Sequence, residues 1–169
     1  MTDKMRGIVA RADGGVTVHL SARERDLLRS LPGQLRPLLA GEAEAPTVSS
    51  RLFSRGYEDN ELEAEYHSLV AEDVVSQRLA AMDAFAVTLE EGSQRGGRWR
   101  TELDAEAATA WLSAINDGRL ILGALLGVTD ESAWEQHADD ENPTSIVLYY
   151  LGWLQEELVA ALTTALPED

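Results

Sequence analysis

Cysteine is absent from the 169 residues, which removes disulfides, thiol switches, thiolate metal sites and cysteine nucleophiles from the available chemistry. Lysine is nearly absent: one residue stands against thirteen arginines, so the basic groups are planar forks suited to bidentate pairing. The three histidines are scattered at 19, 67 and 137, and no HExxH or related spacing occurs. Glu63 and His67, at i,i+4, could share a helix face, but a metal needs three or four ligands, so they read as surface residues. The loop Arg95-Gly96-Gly97-Arg98 lacks the Lys-Ser/Thr pair of a phosphate loop. Spacing selects no acid-base pair from the thirty acids, and no cofactor is expected. Long apolar runs are missing as well. The longest is broken by Arg119, and the amino terminus has no signal-like stretch, so the expectation is a cytoplasmic protein with no membrane contact.

Positive charge is scarce and unevenly placed. Residues 1–60 hold nine basic and eight acidic groups, while residues 61–169 hold five basic and twenty-two acidic, a local balance of −17 within a net charge of −16. Such a field repels phosphate backbones, so direct nucleic-acid binding through the larger part is disfavoured. The charge serves solubility on one reading and steers a basic protein partner on the other.

What is present is mostly helical patterning. Residues 7–20 read as a hairpin, with Ile8 to Ala10 and Val16, Val18 and Leu20 flanking Asp13-Gly14-Gly15, the residues of a type I′ turn. Two strands are marginal alone and must pack on a helix. Ser21 and Glu24 form a capping box opening a helix with Leu27, Leu28, Leu31 and Leu35, which Pro32 and Pro37 are expected to kink or divide. Residues 41–50 have linker composition. Leu62, Tyr66 and Leu69 mark a first helix face, and Val75, Leu79, Met82, Ala86 and Leu89 a seam ending at Gly92. SQRGGRWRTEL reads as a connection to a helix capped by Asp104 and stopped by Gly127. A short helix anchored by Trp134 is expected after Thr129. A last helix then starts at Asn142-Pro143 and reaches about Leu166, with apolar rows at Val147, Leu151, Leu154, Leu158 and at Ile146, Tyr150, Trp153. The fold expectation is one mainly α domain over 1–169, a bundle of about five helices with a small amino-terminal β-hairpin, with burial on two sides of the last helix compatible with a homodimer.

Two clusters carry candidate chemistry. Asn116, Asp117 and Arg119 interrupt the apolar helix WLSAINDGRLILGALLG, and buried polar groups cost roughly 1 to 3 kcal/mol each when unpaired. They read as a register-fixing ion network, with Arg119 meeting Glu61 or Glu65 and its removal lowering the melting temperature markedly. The alternative is a ligand or partner pocket. The second cluster is Arg95, Arg98 and Arg100 around Trp99, which could hold an anion or stack on a base. Its structural reading has the arginines facing the carbonyl end of the preceding helix, with Trp99 under the loop.

The segments SSRLFSRGYEDNELEAEYHSLVAEDV, WLSAINDGRLILGALLGV and YYLGWLQEELVAAL resemble an actinobacterial domain-of-unknown-function family, some members of which are described as AosR-type oxidative-stress transcriptional regulators. The resemblance rests most on Arg51-Leu52-Phe53 with Tyr57, on Trp111-Leu112 with Asn116, Asp117, Arg119 and Leu120, and on Trp153 to Glu156. It implies a cytoplasmic regulator. The chain departs from the pattern at Ser54, at Gly118 in place of a larger apolar residue, and in having no cysteine, so thiol-based redox sensing does not carry over. The functional expectation is a non-enzymatic regulator acting through protein contacts, with a basic partner such as a sigma factor or RNA polymerase. Two alternatives stand beside it: a ligand-binding or enzymatic pocket at Asn116, Asp117 and Arg119, and DNA binding through Arg23, Arg25, Arg29 and Arg36.

Overall fold

The computed structural model describes residues 7–41, 60–127 and 142–165. Strand β1 (Ile8–Ala10) pairs antiparallel with β2 (Val16–Ser21), which runs into helix α1 (Ala22–Leu39). Helix α2 (Asn60–Glu90) is followed by strands β3 (Ser93–Arg95) and β4 (Arg98–Leu103), then by α3 (Ala105–Leu126) and α4 (Pro143–Ala165). The described residues thus hold four helices, and the expected short helix at Trp134 lies outside them. The linker at 41–50, apart from Gly41, and the Arg51-Leu52-Phe53 and Tyr57 segment also lie outside them.

The sheet is larger than the expected hairpin. SQRGGRWRTEL is not a simple connection but a second hairpin, and β4 pairs antiparallel with β2 to give a four-stranded sheet of order β1-β2-β4-β3. Pairing across the chain resolves the instability of two lone strands. The alternation RWRTEL, with Trp99, Thr101 and Leu103 buried, carried a strand signal that the two glycines and three arginines masked.

The first turn also differs from expectation. Gly14 has φ +90° but no non-glycine residue among those described has positive φ, so Asp13 cannot occupy a type I′ position. Instead Gly14 N–H donates to Arg11 C=O and Arg11 N–H to Gly15 C=O, a type I turn closed by a glycine bulge. The Asp13 carboxylate accepts from Gly15 N–H at 3.0 Å.

The helix ends follow the sequence closely. Ser21 and Glu24 close both halves of the capping box, Asp104 accepts from Ala107 N–H at 2.7 Å, Asn142 accepts from Thr144 N–H at 2.9 Å, and Gly127 ends α3 at φ 73°. Pro32 and Pro37 do not divide α1. Burial of Leu28, Leu31, Leu35 and Leu39, each worth about 1.5 to 3 kcal/mol, outweighs an interior-proline cost of about 3 kcal/mol each. Helix α3 is central: Trp111, Ala114, Ile115, Gly118, Ile121 and Leu122 are buried, and it packs on both α2 and α4. The inner sheet face, with Val16, Val18, Leu20, Trp99 and Leu103, completes the same core.

Candidate functional site

The polar break in α3 divides between core and surface. Asp117 is only 3% exposed, whereas Asn116 and Arg119 are exposed. The inward residue is therefore the carboxylate and not the guanidinium. Its cation is Arg78 of α2, with Nε 3.8 Å from Oδ1, a contact longer than a hydrogen bond. Oδ2 has no hydrogen-bond partner among the described residues. Burial pushes the Asp117 carboxyl above the usual carboxylate range, and Arg78 draws it partway back.

The expected pairing of Arg119 with Glu61 or Glu65 is corrected. The Arg119 guanidinium lies over Gly152 of α4, with Nε and Nη2 3.6 Å from where a Cβ there would stand, and donates to Gln155 Oε1 at 2.6 Å. Glu61 and Glu65 are exposed near the start of α2, and Arg51 lies outside the described residues. A Cβ on Gly118 would come 3.2 Å from Leu151 and 3.4 Å from Leu35, so a larger apolar residue would separate α3 from α4 and α1. The polar break reads as a contact between helices, with Asp117 turned to α2 and Arg119 to α4.

The second cluster is reorganised by the register of the sheet. Trp99 points into the core, 2% exposed, with its indole N–H donating to Glu91 C=O at 2.8 Å. It is no platform for a base. The carbonyl end of α2 is held by Arg25, which the sequence reading did not single out for that role: Nε and Nη2 donate to Leu89 C=O at 2.9 and 2.7 Å, and the guanidinium sits 5.1 Å from the Trp99 ring centroid. Arg29 grips Glu90 through two hydrogen bonds and Arg36 pairs with Asp83. Three of the four arginines offered for DNA binding are thus engaged in joining α1 to α2. Arg23 remains exposed.

On the opposite sheet face, Arg95 stands across from Arg98, Arg98 from Ser21, and Arg100 from both Ser93 and His19. Arg100 and Arg11 share Glu102, at 3.0 and 3.1 Å. His19 is held below its ordinary pKa, first by burial and then by Arg100 and Arg98.

A third feature emerges only in three dimensions. Leu148, Leu151, Leu154 and Leu158 of α4 are buried, but Ile146, Tyr149 and Trp153 are 58%, 54% and 42% exposed. Within the chain the second row is not buried: Ile146 and Trp153 face outward with Tyr149, at spacings of three and four that form one stripe. Tyr150 turns inward, where burial first and then the Glu24 carboxylate raise its phenol above the ordinary range. Trp153 reaches over the sheet edge, its Cη2 3.2 Å from a Cβ position on Gly7. Further along α4, a groove of about 450 Å³ runs between Ile8, Val9 and Ala10 of β1 and Glu157, Ala160, Ala161 and Thr164.

Among the described residues, no three His, Asp or Glu side chains converge as metal ligands would, and no helix is long and apolar enough to cross a membrane. The pattern of a domain of unknown function, DUF2017, matches residues 5–162, and the chain belongs to that family. No curated protein and no solved structure matches it.

Proposed function

We propose that this DUF2017 chain is a non-enzymatic regulator that binds another protein through the outer face of α4. The observation that carries the reading is the exposed Ile146, Tyr149 and Trp153 stripe on a helix whose other side is buried. Aromatic residues with large apolar area anchor protein interfaces, and Tyr149 and Trp153 beside Ile146 on a rigid helix are presented preorganised. Glu156 and Glu157 border the stripe, so the fitting partner is apolar at its centre and basic at its rim.

The resemblance to AosR-type regulators points to transcription machinery, a sigma factor or RNA polymerase, as the source of that basic surface, in the cytoplasm. Oxidant sensing through thiols is excluded because the chain has no cysteine. Equilibrium binding of purified sigma factor and core polymerase tests the reading. The double variant Ile146→Asp/Tyr149→Asp is expected to weaken binding at least tenfold while leaving the fold intact. Binding by neither protein, or equal binding by the variant, overturns it.

A further inference from the structure

The outer sheet face has a charge problem that the fold does not solve. In residues 61–169 acids outnumber bases twenty-two to five, yet three of the five bases, Arg95, Arg98 and Arg100, stand on one small face. Like charges directly opposite each other on neighbouring strands destabilise a sheet, and Arg95 opposite Arg98 is such a pair. Arg100 has Glu102. Arg95 and Arg98 have no ion-pair partner among the described residues, and Nε of Arg98 is buried with no acceptor there. Nε itself is closed to outside acceptors, but Arg98 is only half-buried and Arg95 is exposed, so an anion can reach the remaining guanidinium nitrogens of this like-charged pair.

We propose that this face binds a short acidic segment of a partner protein in extended conformation, with carboxylates at alternate positions. Arg98 and Arg100 are two residues apart on β4, so their side chains repeat at about 6.6 Å along the strand. An extended peptide presents its own i,i+2 side chains at the same repeat, which lets two carboxylates meet two guanidiniums in register. Arg95, Ser93, Ser21 and His19 extend the donor grid sideways onto the flanking strands.

Single-stranded nucleic acid fits less well. Its sheet-bound forms need outward aromatic rings to stack on, and the aromatic of this hairpin, Trp99, is buried on the other face. A long polyanion would also meet the acidic remainder of the chain, whereas a short segment lies within a Debye length of about 8 Å of the arginines.

The test is fluorescence anisotropy with the full chain and two labelled peptides of one composition, one with glutamates at alternate positions and one with them adjacent. The alternate peptide is expected to bind more tightly, and Arg95→Gln/Arg100→Gln, both exposed positions, to weaken it at least tenfold in a chain that still unfolds cooperatively. Binding should also shift the His19 ring signals in NMR spectra, because His19 stands beside Arg100 on the covered face. No saturable binding at low salt, equal affinity for the two spacings, or tighter binding of tripolyphosphate or a single-stranded DNA oligomer overturns the proposal.

Discussion

Asp117 is the residue where burial and charge conflict most directly. Its folded pKa lies above the ordinary carboxylate value, so the native state binds this proton more tightly than the unfolded chain does. The stability this contributes is fully present below the unfolded carboxylate range and is lost as pH rises through the raised value. Asp117→Asn, neutral at every pH, should therefore compare best with the parent near neutrality and lose that advantage as pH falls toward the carboxylate range, as thermal melts across pH would report. Arg78→Met should cost about 2 kcal/mol by leaving the buried carboxylate without its nearest cation, and the added Asp117→Asn should restore most of it. Arg119→Ala, by contrast, should cost no more than about 1 kcal/mol, since its guanidinium is exposed. The sequence showed that a polar group enters this core but not which one. Asn116, Asp117 and Arg119 span one helical turn, and the inward member depends on how α3 rotates against α2, a tertiary choice made by Trp111, Ile115 and Ile121.

At the scale of elements, what could be read early was what is settled locally. Ser21, Asp104, Asn142 and Gly127 act on amides and carbonyls within a turn of themselves, and each stands where the sequence put it. The β3–β4 hairpin was missed because its stability comes from β2, eighty residues away in the chain, and its arginines imitate a loop. Gly92 joins α2 to that hairpin: its φ is +90° and a Cβ would stand 2.4 Å from Arg100 C=O. Gly92→Ala should thus cost about 3 kcal/mol or more and disturb Trp99 fluorescence, since strain and overlap add. Gly14, with φ +90° and nothing within 4 Å, faces strain alone, and Gly14→Ala should cost about 1 to 2 kcal/mol. Chemical denaturation of the two variants side by side measures the difference.

For the whole molecule, the functional surfaces were the least legible part. A helix with two apolar rows reads as buried on two sides, and only the placement of α3 and the sheet decides that Ile146, Tyr149 and Trp153 are left outside. The arginine grid likewise needs the β2–β4 register before its members become neighbours. Because Asp117 and Arg119 are taken up by the neighbouring helices, the proposed function lies on the α4 stripe and not on the polar break. One measurement separates these assignments: binding of purified sigma factor and core polymerase to the parent chain, to Ile146→Asp/Tyr149→Asp and to Asp117→Asn, each first shown to be folded. The account predicts at least tenfold weaker binding for the α4 variant and parental binding for Asp117→Asn. Parental binding by the α4 variant, with loss in a stably folded Asp117→Asn, would contradict it and return the site to α3.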